Sequence, residues 1–182
     1  IKNVNCLYVD EEGRLWVGTN DDGVTILINE HVMNVIDDEK GLLSNSVKSI
    51  VCDSNGNYYI GTTEGLSQVS LSSGVKVLKS FDQIKNVIYM SADADGNVIV
   101  VTERGTVYWI KDGEIVDNPK GLESSLICSA YFTEDNRLFL GTEENDVCIY
   151  KVDGEKLKLT KTIHLEDVES INSFFMIEDE IF

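Results

Sequence analysis

The chain has 182 residues, 42% of them hydrophobic, enough apolar side chain for a real core and a length that suggests one domain. It carries 32 Asp and Glu against 15 Lys and Arg, a net charge of −17. A surface this acidic repels phosphate backbones and anionic lipid, which argues against nucleic acid and membrane surfaces as partners, and no apolar run approaches the ~20 residues of a membrane-crossing helix.

The chain opens in strand-like sequence, Val4–Val9, rich in β-branched and apolar residues. Asp10-Glu11-Glu12-Gly13 reads as a tight turn. The Asp carboxylate can accept from backbone N–H groups further along, and Gly13 can take the positive φ that such a hairpin needs. The next strand carries a large aromatic, Trp16, and ends on Gly18-Thr19, where a missing side chain admits a neighbouring sheet. A third strand at Val24–Ile28 and a fourth over 32–36 finish the unit.

The unit then returns. Its second copy has the strand Val47–Cys52, the turn Asp53-Ser54-Asn55-Gly56, the aromatic Tyr59, the pair Gly61-Thr62, and strands over 66–69 and 75–78. The third has a strand over 87–91, the turn Asp93-Ala94-Asp95-Gly96, Ile99 at the aromatic position, Val101 in place of the Gly, then Thr102 and strands over 106–110 and 114–116. The fourth has the strand Ile127–Phe132, the turn Thr133-Glu134-Asp135-Asn136, Phe139, Gly141-Thr142, and strands over 147–152 and 157–163. A fifth copy begins over 171–177 with a shortened turn at 178–180. Thr19, Thr62, Thr102 and Thr142 fall 43, 40 and 40 residues apart. The single proline, Pro119, sits in a connection, and no segment holds a helical period.

Four strands per unit at a period near 40 residues mark a β-propeller blade. A sandwich also has many short strands, but it does not need the same turn and the same aromatic once every four strands. The expectation is an all-β chain of four four-stranded antiparallel blades plus the start of a fifth, with blades near 1–40, 41–80, 81–120, 121–165 and 166–182. The sequence starts in strand-like residues at Ile1 and stops at Phe182 where another strand is due, so it reads as a partial propeller, a segment of a larger one.

Asp-x-x-Gly-x-Leu-Trp-(Val/Ile)-Gly-Thr, as carried by Asp10–Thr19, resembles the two-component regulator propeller repeat. The lead-in Lys40-Gly41-Leu42-Leu43-Ser44-Asn45-Ser46-Val47 resembles it too, and Lys120–Leu126 echoes that lead-in. The resemblance implies seven-bladed propellers that form the extracytoplasmic sensors of bacterial membrane-bound regulators, many of them hybrid histidine kinases and many responsive to carbohydrate breakdown products. Nothing in the chain resembles a kinase or a DNA-binding domain.

The repeat positions Asp10, Gly13, Trp16, Gly18, Thr19, Asp53, Gly56, Tyr59, Gly61, Thr62, Asp93, Gly96, Thr102, Phe139, Gly141 and Thr142 have structural jobs. The Asp-rich turns lack the oxygen count and distal Glu of a calcium loop, so they read as hairpin turns, and no metal or cofactor is expected. Trp16, Tyr59 and Phe139 share one repeat position, which favours blade packing over sugar stacking. Cys6, Cys52, Cys128 and Cys148 form no CxxC pair and read as small buried apolar side chains. His31 and His164 belong to different units and stand in no triad pattern, so no catalytic residue is nominated.

Ligand contacts are expected on the face that joins the turns between second and third strands to the connections between units. Asn20, Asp22, Asn45, Glu64, Arg104 and Glu144 are the candidates there. Two readings stand for Arg104, the only cation among those turns: it holds a carboxylate such as that of an acidic sugar, or it pairs with Glu103 or Glu64. At this point three functions are open. They are a non-catalytic module binding an oligosaccharide, a scaffold docking further blades or a second copy of the chain, and a propeller lyase.

Overall fold

The turn chemistry acts as the sequence dictates. Asp53 Oδ1 accepts from the N–H groups of Asn55 and Asn57 at 2.9 and 2.8 Å, and Asp93 Oδ1 accepts from Asp95 and Asn97 at 3.0 and 2.9 Å. In the fourth copy the Thr133 hydroxyl takes this part, accepting from Arg137 N–H at 2.9 Å. The turn position is left-handed in every copy, with φ between 61° at Asn136 and 80° at Gly96. Thr19 and Thr62 clamp the next turn: each hydroxyl donates to a glycine carbonyl, Gly23 at 3.0 Å and Gly65 at 2.8 Å.

These turns connect four antiparallel four-stranded sheets. The computed structural model describes residues 1–93, 95–116, 125–153 and 156–174, and the backbone of the short strands at 176–177 and 180–181. Ala94, the connection holding Pro119, residues 120–124 of the second lead-in, and positions 178 and 179 of the last turn lie outside the described residues. The first blade is β1 (Val4–Val9), β2 (Leu15–Thr19), β3 (Val24–Ile28) and β4 (His31–Ile36), in that spatial order. The second is β5 (Val47–Cys52), β6 (Tyr58–Thr62), β7 (Leu66–Ser70) and β8 (Lys76–Phe81). The third is β9 (Val87–Ala92), β10 (Val98–Thr102), β11 (Val107–Lys111) and β12 (Glu114–Ile115). The fourth is β13 (Ile127–Phe132), β14 (Arg137–Thr142), β15 (Asp146–Asp153) and β16 (Lys156–His164), and a two-stranded piece, β17 (Met176–Ile177) and β18 (Glu180–Ile181), follows. A single 3₁₀ turn, Asp38–Lys40, joins the first two blades, capped by the Asp37 side chain and closed by Gly41 at φ 99°.

The first strands β1, β5, β9 and β13 neighbour one another from blade to blade, so they form the inner wall. Each pairs with its second strand through a bulge at the same repeat position, leaving Asn5, Lys48, Ile88 and Cys128 as the extra residue. Nothing in those four residue types signals the bulge. Cys128 is exposed, against the expectation that the cysteines are buried, because it is this bulged residue; Cys6, Cys52 and Cys148 are half-buried, and all four are free thiols.

The core lies between blades. Trp16 packs with Val47, Ile50 and Ile60 of the second blade. Tyr59 packs with Val87 and Val98 of the third, Ile99 with Ile127 and Leu138 of the fourth, and Phe139 with Ile171. One repeat position thus always faces the following blade. The neighbouring glycine gives clearance to that blade's first strand: a Cβ on Gly61 would sit 2.5 Å from Val87 Cγ1, and one on Gly141 2.6 Å from Ile171 Cγ2. In the third blade Val101 occupies this position, buried in the cluster that holds Ile127.

Candidate functional site

Two faces lie at the ends of the strands. On one, the turns between second and third strands join the connections between blades through a belt of backbone hydrogen bonds. Within blades, Asn20 N–H donates to Asn3, Thr63 to Ser46, Glu103 to Asn86 and Glu143 to Leu126, at 2.8–3.3 Å. Between blades, Gly23 N–H donates to Asn45, Asn86 to Thr63 and Ile127 to Glu103, at 2.7–3.1 Å. The belt uses the backbone; Asp22, Glu64, Arg104 and Glu144 are exposed on it, while the side chains of Asn20 and Asn145 are hydrogen-bonded.

All six candidates from the sequence sit on this belt, but they do not converge. Asn20 Oδ1 accepts from Asn5 Nδ2 at 2.5 Å and from Lys48 Nζ at 3.2 Å, which puts it at the mouth of the inner wall beside two bulge residues. Asn45 Oδ1 accepts from Asp38 N–H at 2.9 Å and helps fix the 3₁₀ turn. Glu64 pairs with Lys85 at 3.3 Å, both largely exposed. Asp22, Arg104 and Glu144 are exposed, and among the described residues Arg104 has no ion-pair partner. Of its two expected partners, Glu64 is paired elsewhere, with Lys85. Lys48, which the sequence reading passed over, belongs with Asn20; its place follows from the bulge, which no residue type announces.

The opposite face holds the turns between first and second strands and carries clefts at the blade seams. A cleft of about 810 Å³ lies between the first and second blades, lined by Tyr8, Arg14, Asn55, Asn57, Tyr58 and Ser72 among others. Its floor is a buried polar network. Asp10 Oδ2 accepts from Trp16 Nε1 at 2.8 Å, Arg14 Nε at 2.6 Å and the Tyr58 hydroxyl at 3.1 Å, and Arg14 Nη2 donates to the Tyr58 hydroxyl at 2.8 Å. Tyr58 stacks on Trp16 with ring centroids 4.1 Å apart. Burial pushes the Asp10 carboxyl up, but the hydrogen bonds from Trp16, Arg14 and Tyr58 outweigh it and hold Asp10 below its usual value. Burial pushes the Cys6 and Cys52 thiols up to about 11, so both stay protonated and unreactive at neutral pH. Among the described residues no group of His, Cys, Asp and Glu is placed to hold a metal ion. His164 pairs with Asp146 at 2.8 Å on the exposed rim, and His31 is exposed on β4, so the two histidines do not meet.

Residues 1–21 and 27–64 match the two component regulator propeller family. The matched stretches take in most of the first blade and the first two strands of the second. No curated protein matches the chain in sequence. Among solved structures, the extracellular domain of a hybrid two component system from B. thetaiotaomicron is similar at 22% identity and a TM-score of 0.68, over 87% of this chain and 23% of that one. The WD40 propeller domain of Doa1 is similar at 18% identity and a TM-score of 0.73, over 98% and 59%. Virginiamycin B lyase from Staphylococcus aureus is similar at 11% identity and a TM-score of 0.74, over 94% and 59%. The chain therefore spans about a quarter to three fifths of the propeller chains it matches, and at these identities the likeness is one of fold.

Proposed function

We propose that the chain is a non-catalytic ligand-sensing module, part of the extracytoplasmic sensor propeller of a bacterial signal-transduction regulator, with an oligosaccharide as its ligand. The observation that carries this reading is the division of labour in the repeat. The residues that recur from blade to blade are used in turns, clamps and seams, while the belt presents side chains that differ from blade to blade. Asn20, Asp22, Asn45, Glu64, Arg104 and Glu144 form the proposed ligand face. Arg104 is the cation that would meet a sugar carboxylate, and Lys48 beside Asn20 adds a second at the mouth of the inner wall. The protonated thiols and separated histidines support a binding role over a catalytic one.

A second reading, a docking scaffold, is favoured by the end blades. Leu7, Val9 and Val32 of the first blade are each more than 60% exposed, and a largely apolar groove of about 500 Å³ borders Phe139 and Ile171 on the fourth. Both faces have the chemistry of blade seams, so their partner is further blades, from the same protein or a second copy.

Glycan-array and calorimetric screening of the chain, with product analysis of every mixture, tests the first reading. Saturable binding without a new product is the expected result. Absence of binding together with turnover of a substrate would overturn it.

A further inference from the structure

We propose that the cleft between the first and second blades binds an uncharged, hydroxyl-rich small molecule of mono- to disaccharide size. The site is on the face opposite the belt and stands independently of a ligand there. Its volume, about 810 Å³, falls in the range of small-molecule sites.

The floor is preorganised. The side chains of Asp10 and Arg14 are 2% and 10% exposed, and Tyr58 is buried beneath them. Their opposite charges cancel, so the floor offers donors and acceptors without a net charge. A guanidinium has five N–H donors. In Arg14 one goes to Asp10, one to Glu12 and one to the Tyr58 hydroxyl, and the other two have no partner among the described residues. Those two donors suit hydroxyl oxygens.

The walls suit the same ligand. Ser72 and Asn55 line the cleft, and the Asn57 amide nitrogen is committed to Asp53, which leaves its carbonyl oxygen as an acceptor. Tyr8 meets Tyr58 edge-on at 6.4 Å and adds apolar ring surface to the wall. The rim sets the charge selectivity. Glu11 and Glu12 are exposed at the cleft, and their carboxylates repel an anion. A uronic acid is therefore disfavoured here, whereas the belt with Arg104 favours one.

The two tryptophans provide the test. Trp16 Nε1–H donates to Asp10 at the cleft floor, while Trp109 is buried between the third and fourth blades. The chain labelled with ¹⁵N is titrated with glucose, galactose, maltose, cellobiose and glucuronic acid, and both indole resonances are followed. The expected result is a saturable shift of Trp16 with at least one neutral sugar, none at Trp109, and an affinity for glucuronic acid at least about tenfold weaker. Ser72→Trp, at an exposed turn, fills the cleft and weakens the neutral sugar at least about tenfold, while Arg104→Ala leaves this titration unchanged. No shift of Trp16 with any neutral sugar up to about 50 mM, or glucuronic acid binding as tightly as the neutral sugars, overturns the proposal.

Discussion

The first seam and the outer face of the fourth blade start from the same turn and reach different ends. In the first blade, Asp10 both fixes the turn and reaches across the seam, taking hydrogen bonds from Arg14, Trp16 and Tyr58 of the next blade. In the fourth blade Thr133, Arg137 and Phe139 hold the matching positions. The Thr133 hydroxyl fixes the turn as well as a carboxylate does, but it brings no charge. Arg137 pairs with Asp135 at 2.7 Å and lies over the Phe139 ring at 5.4 Å. Its cross-strand neighbours are Lys151 and then Lys158, a row of three cations directly opposite one another, where like charges repel. A local turn can thus be built by either chemistry, but only in the first of these two does the turn side chain also bond across the seam to the next blade.

The sharpest way to break this comparison is to remove the two turn residues separately. Asp10→Ala leaves the Arg14 charge, the Trp16 indole N–H and the Tyr58 hydroxyl without their acceptor. It should cost about 3–5 kcal/mol in urea unfolding, against about 1 kcal/mol for Thr133→Ala. Equal costs would show that the seam adds nothing to the turn. Next in size is Gly61→Ala, whose new Cβ meets Val87 of the following blade; a loss of about 1–3 kcal/mol is expected, read from the urea midpoint.

Acid sharpens the same contrast. The Asp10 carboxyl is held low in the folded chain, so its contribution is complete at neutral pH. That contribution fades as the pH drops below the ordinary carboxylate value of about 3.9 and through the lower folded value. Thermal melts of the wild type between pH 5 and 2 should therefore fall more steeply than those of Asp10→Asn, and parallel curves would contradict this. The smallest effect belongs to the belt's exposed ion pair: Lys85→Ala should change stability by no more than about 0.5 kcal/mol in the same urea assay.

Much of the fold was legible because each blade repeats its own local chemistry. Asp53, Gly56 and Thr62 act within a few residues of themselves, and such short-range roles show in one sequence. The position of Trp16, Tyr59 and Phe139 was legible for a different reason, since only a repeated packing demand keeps a bulky side chain there four strands apart. The bulges at Asn5, Lys48, Ile88 and Cys128 were not legible, because they follow from inner-wall geometry that four dissimilar residues accept equally. The seam cleft was not legible either. Its walls come from three turns, at 10–14, 53–57 and 70–72, that meet only after the blades pack. The belt candidates were placed on one face by topology alone, which says nothing of convergence, and in the structure they remain spread around it.

The central claim is that repeat positions build the propeller while positions that vary between blades carry its function. Calorimetry of an oligosaccharide that binds the belt, on wild type, Arg104→Ala and Asp53→Ala, tests this most directly when paired with urea unfolding of each. Arg104→Ala should lose affinity at unchanged stability, and Asp53→Ala should lose stability while its folded fraction keeps the wild-type Kd. The reverse pattern, with affinity kept in Arg104→Ala and lost in folded Asp53→Ala, would contradict the account.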